Sequence, residues 1–167
     1  MNMLFPGLLT EHRESILRRN WWGHDGRWYL LVAKELGFEK ANDMNMAANR
    51  AAGELEIRNL MAIGGMNQES MRVNPLQILR FNLELCAQDV FTLKEFVNEG
   101  GDFILRIGSC PAYSGTQKAG YMSHYRCACF KRAEGWLEAM GVSGTCFIRK
   151  SLVGGDKFCE VVIAPEK

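Results

Sequence analysis

No stretch of this chain approaches the roughly 20 consecutive apolar residues that a membrane-spanning helix needs, although 47% of its 167 residues are hydrophobic. The opening "MNMLFPGLL" is too short an apolar run, and is broken by Pro6, to serve as a secretion signal. A cytoplasmic protein without a membrane partner is the expectation. The chain also lacks an excess of either charge, with 20 basic against 19 acidic residues and a net charge of +1. No lysine- and arginine-rich run is interleaved with aromatics, and the one locally basic stretch, "HRESILRR", reads as a solvated helix face. Nucleic acid is therefore not an expected partner. Equally absent are a G-x-S-x-G elbow, a Walker loop and a dinucleotide fingerprint, so no cofactor is expected and the glycine pairs read as turns.

What is present suits one domain over residues 1–167, with a helical half (1–89) and a half of changed period (90–167). A short helix is expected over 8–20, and a helix rich in tryptophan over 21–36 that Gly37 closes. A long helix follows, whose small and apolar residues Ala41, Met44, Ala48, Ala51, Leu55 and Ala62 recur at three- and four-residue steps up to Gly64-Gly65. Another starts at Pro75 with Asn74 as its cap. Beyond Val90, "FTLKEFVNEGGDFILRIG" and "TCFIRKSLVGGDKFCEVVI" each read as strand, Gly-Gly-Asp turn, strand. One helix, His124 to Met140, lies between them. The expected class is α+β: N-terminal helices packed with a hairpin-helix-hairpin (ββαββ) antiparallel sheet. Ser109 to Ser123 reads as a loop of about fifteen residues, a length that is uncommon in compact domains and often functional.

The densest chemistry lies in "NWWGHDGRWYLLV". At helical spacing Trp21, Asp25 and Trp28 share a face leading to Val32 and Leu36, with His24 one turn before Trp28. Burying an ionised carboxylate without a partner costs several kcal/mol, so Asp25 is either hydrogen-bonded in a core or facing a wet pocket. The candidate ligand-binding residues are Trp21, His24, Asp25, Trp28, Tyr29, Tyr113 and Tyr121. The carboxylates Glu54 and Glu56 read as scaffold, with Glu54 and Arg58 at the spacing of a surface pair.

Six cysteines with no signal for export are expected to be reduced. Cys110, His124, Cys127 and Cys129 supply soft ligands within twenty residues. On a regular helix, however, Cys127 and Cys129 point about 200° apart, which argues against a shared metal ion unless the helix begins after them. Cys129 belongs instead to the apolar stripe Tyr125, Cys129, Ala133, Trp136 and Met140. As candidates for catalysis, Cys127 would lie in the first helical turn with His124 three residues earlier, and Cys110 would lie in the long loop. Cys159 and Cys146 are expected to face each other across the second hairpin.

The segment "W..HDGRWYLLVAKELGFEKANDMN" with "AGELEIRNLM" resembles a prokaryotic family of uncharacterised cytosolic proteins that carry an aspartate-glycine-x-tryptophan-aromatic signature, here Asp25-Gly26-Arg27-Trp28-Tyr29. The C-terminal "CACFKRAEGWLEAMGV" and "GGDKFCEVVI" are similar in pattern to 4-vinyl-reductase-type small-molecule-binding domains and to the L-2-amino-thiazoline-4-carboxylate hydrolase family. These resemblances imply helices set against an antiparallel sheet with a small-molecule pocket between them. The leading functional expectation is a binding or sensor-like protein for an apolar or aromatic small molecule. The alternatives are a cysteine-assisted hydrolase of a small cyclic amide or thiazoline, a metal-binding protein, and a structural protein that forms a homodimer through the alanine-rich helix.

Overall fold

The computed structural model describes residues 9–98 and 100–166. The helical half contains α1 (Thr10–Leu36), α2 (Phe38–Gly64), α3 (Gln68–Val73) and α4 (Pro75–Ala87). It is followed by β1 (Thr92–Val97), β2 (Phe103–Ser109), α5 (Pro111–Lys118), α6 (Cys129–Met140), β3 (Gly144–Lys150) and β4 (Cys159–Pro165). All strands pair antiparallel in the order β1-β2-β4-β3. The two hairpins turn where glycine takes positive φ, +91° at Gly101 and +94° at Gly155. Cys159 is paired with Ile107 and Cys146 with Ile163, so these two cysteines do not face each other as expected.

One face of the sheet presents Phe103, Leu105, Ile107, Cys159, Val161 and Ile163 to the core, where α6 and α4 supply Trp136, Met140, Leu79 and Leu83. On the opposite face Arg106 and Arg149 hold Glu160 at 2.8 and 2.6 Å, and the Arg106 guanidinium lies over the Phe158 ring. Helices α2 and α6 cross with their backbones almost touching. A Cβ on Gly53 would lie 2.2 Å from the Arg132 carbonyl oxygen, and one on Gly135 2.2 Å from that of Arg50. The close crossing requires glycine on both helices.

The structure departs from expectation in four further places, each for a local physical reason. Residues 10–36 form one helix rather than two, running through Gly23 and Gly26 despite the low helix propensity of glycine, since the buried Tyr29 and Ala33 further along the same helix fix it to the core, and residue 8 lies outside the described residues. On α2 the buried face is not the alanine stripe. Ala41 is buried, but Ala48, Ala51, Leu55 and Ala62 are exposed, and Asn42, Asn45, Asn49, Gly53 and Ile57 face inward. Hydrogen bonds offset the cost of burying these asparagines. Asn49 donates to the carbonyl and the side-chain oxygen of Asn45, both at 2.9 Å.

The expected loop at 109–123 contains α5, which starts at Pro111, a position where a missing N–H costs nothing. Conversely, the expected helix at 124–140 begins only at Cys129. Asn42 of α2 donates to the His124 carbonyl at 2.7 Å and accepts from the Arg126 N–H at 3.0 Å. Those bonds satisfy the preceding backbone without a helical turn.

Candidate functional site

Helix α1 turns Trp22, Asp25, Gly26 and Tyr29 toward the interior, an i, i+3, i+4, i+7 set one residue out of step with the expected Trp21, Asp25 and Trp28. Between this face, the asparagine face of α2 and the start of α5 lies a cavity of about 330 Å³. Behind it, against the sheet, is a smaller one of about 40 Å³ whose walls expose only apolar atoms, with Leu105, Ile107, Val161 and Ile163 as its floor. Trp22, Asn49, Phe91 and Cys129 line both. The two therefore form adjoining parts of one slot between helices and sheet, wide and partly polar at Asp25, narrow and apolar at the strands.

A buried ion pair lies at the junction. Arg132 of α6, 4% exposed, lines the deep cavity and donates to Glu56 of α2 from Nε at 3.1 Å and to Asn49 at 3.3 Å. Trp136 Nε1 donates to the same carboxylate at 2.7 Å. Burial opposes the charge on Glu56, but the hydrogen bonds and charge of Arg132, with the indole N–H, outweigh it and hold the carboxyl below its ordinary value. The Arg132 guanidinium stacks over Trp22, whose own Nε1 is fixed to the Cys86 carbonyl at 2.7 Å. Glu56, expected to be scaffold, thus anchors the wall of the cavity. Glu54 does make the expected surface pair with Arg58, at 3.0 Å.

Asp25 differs from every other charged group here. Burial raises its carboxyl above the usual carboxylate value, while Arg132 and His24 pull it down and Glu56 pushes it up. Of the other candidate ligand residues, Tyr29 lines the cavity and donates to Asn42 at 3.0 Å. Trp21 is half exposed and His24 is exposed, and neither lines the cavity; Trp28, Tyr113 and Tyr121 also lie outside its lining. Tyr121 packs edge-on against Phe38.

The cysteines are all unpaired. Cys110 lines the wide cavity, and burial pushes its thiol up to about 11. Cys127 precedes α6 rather than lying in its first turn, and it does not line the cavity. Hydrogen bonds from the Cys129 thiol and backbone hold the Cys127 thiol below its ordinary value; the same bond and burial push Cys129 well up. The His124 ring stacks on Phe38 at 4.5 Å between centroids and is not the partner of Cys127. Although the helix does begin after Cys127, no group of three or more His, Cys, Asp or Glu among the described residues, Cys110, His124, Cys127 and Cys129 included, is arranged to hold a metal ion. No described helix is long and apolar enough to cross a membrane.

No family profile and no curated protein matches the chain. Its structure is similar to the crystal structure of a trafficking protein particle complex subunit 3 from Naegleria fowleri covalently bound to palmitic acid. The TM-score is 0.62 over 92% of this chain and 97% of that one, at 14% sequence identity. The likeness is one of fold.

Sequence reasoning missed Trp22, Asn45, Asn49, Glu56 and Arg132. A signal for two of them was available: asparagines at 42, 45 and 49 recur at helical spacing, a pattern as periodic as the alanines beside it.

Proposed function

We propose that the protein binds an elongated small molecule, apolar or aromatic over most of its length, in the slot between α1, α2 and the sheet. The observation that carries this reading is the pair of adjoining cavities, graded from a partly polar end at Asp25 to an apolar end at Val161 and Ile163. Concave, largely apolar sites with a few placed polar groups are where small ligands usually bind. The palmitic acid held by the similarly folded trafficking subunit supports an apolar chain as occupant, and the resemblance of the C-terminal half to small-molecule-binding domains points the same way. The cysteine-hydrolase reading has less support, because Cys127 lies outside the cavity lining and His124 stacks on Phe38.

Gly26 makes the test selective. It lines the wide cavity, lies inside α1, and a Cβ there would meet nothing within 4 Å. Gly26→Leu therefore fills the cavity without backbone strain and replaces a poor helix former with a good one. Titration with decanol, followed by tryptophan fluorescence, should saturate in the native protein and be lost in Gly26→Leu, whose thermal midpoint should not fall. Absence of saturable binding in the native protein, or undiminished binding in the variant, defeats the reading.

A second reading concerns assembly. The exposed Ala48, Ala51 and Leu55 form an unpartnered, closely approachable stripe along α2, which supports a homodimer through that helix.

A further inference from the structure

The polar side chains around the cavity are nearly all committed to other protein groups. Arg132 is spent on Glu56 and Asn49, Tyr29 on Asn42, and Trp22 on the Cys86 carbonyl. The Thr116 hydroxyl donates to the Ala112 carbonyl at 2.8 Å, and Arg27 to the Gly23 carbonyl at 2.9 Å. Asn45 gives its side-chain oxygen to Asn49, leaving its amide as a neutral donor. Asp25 stands apart: among the described residues its carboxylate makes no hydrogen bond, and it lines the wide, partly polar end of the slot.

The charges around Asp25 are also unequal. From α6 and α2 it faces Arg132 and Glu56, which are bonded to each other and neutral as a pair. On its own helix His24 is exposed. Arg27, the other charged lining residue with no ion-pair partner among the described residues, is exposed and is not among the charges that act on Asp25. The carboxylate of Asp25 is left as the uncompensated negative charge of the cavity, and such a group is stabilised by a cationic hydrogen-bond donor.

We infer that the occupant is a cationic amphiphile: an apolar body lying past Trp22 toward the sheet, and a protonated amine head seated on the Asp25 carboxylate. This rests on the pocket reading and narrows it to a chemical class. A fatty carboxylate, by contrast, would place its negative head against Asp25.

The test compares matched ten-carbon ligands that differ only in the head: decylamine, decanol and decanoate, titrated into the native protein and into Asp25→Asn. A hydroxyl can also donate to the carboxylate, but only the ammonium adds its opposite charge, so decylamine should bind about tenfold more tightly than decanol, with decanoate weakest. In Asp25→Asn the preference for the amine should vanish while decanol still binds saturably, which also shows that the variant keeps its cavity. Decanol or decanoate binding the native protein as tightly as decylamine overturns the inference and leaves the pocket standing. So does an amine preference that survives in Asp25→Asn. Failure of all three ligands to bind defeats the pocket reading itself.

Discussion

Removing the charge of Glu56 perturbs the structure at the point where helices, sheet and cavity meet. In Glu56→Gln the side chain keeps its shape, and its oxygen still accepts from Trp136, but Arg132, 4% exposed, loses its counter-charge. Stranding one member of a buried ion pair costs about 3–5 kcal/mol. In a domain of this size each kcal/mol moves the thermal midpoint by about 2–4 °C, so the expected fall is roughly 6–20 °C. Urea unfolding should show a lower midpoint at an unchanged slope, since the surface exposed on unfolding is the same. Glu54→Gln, which breaks the exposed pair with Arg58, should cost only about 0.3–0.5 kcal/mol. Adding Arg132→Met to Glu56→Gln should recover much of the loss, because no buried charge then remains.

The dependence on pH follows from the lowered carboxyl of Glu56. A depressed folded-state value means that its contribution is fully present above its ordinary value of 4.5 and is lost as pH falls through the folded value. The difference between native protein and variant should therefore be constant near neutrality and shrink only in acid. A cost below about 1 kcal/mol at neutral pH, the size expected of an exposed pair, would refute the reasoning.

The thiols and the oligomeric state offer two further checks. Cys127, held below its ordinary value by Cys129, should be alkylated by iodoacetamide at pH 7 before Cys86 and Cys110, whose thiols burial pushes up to about 12 and about 11, and Cys129→Ala should slow it; equal rates at these three cysteines would contradict the pairing. Sedimentation at micromolar concentration should give a dimer that Ala51→Arg converts to a monomer, whereas a native monomer removes the α2 seam.

Much of the backbone plan follows from local chemistry and is legible in the chain. Gly37 ends α1 and Gly65 ends α2, each donating its N–H to a carbonyl of the last turn. Pro75 opens α4, and Gly101 and Gly155 turn the hairpins at positive φ. These outcomes depend on a few neighbouring residues. The α+β class with its antiparallel sheet needs little more.

Which face of a helix turns inward is a different matter, because a long helix can carry two periodic stripes and only its neighbours choose between them. On α1 the choice falls on Trp22, Asp25 and Tyr29 instead of Trp21 and Trp28, and the cavity lies on the chosen side. On α2 it falls on asparagines instead of alanines, since Asn42 finds the backbone of 124–126 and Asn49 finds Arg132. The start of α6 is decided by the same Asn42, more than eighty residues earlier, and with it the displacement of Cys127 from the helix. Glu56 comes to anchor a wall of the site through Arg132 and Trp136, 76 and 80 residues away along the chain. Such partners are brought together by packing, and no local period records them.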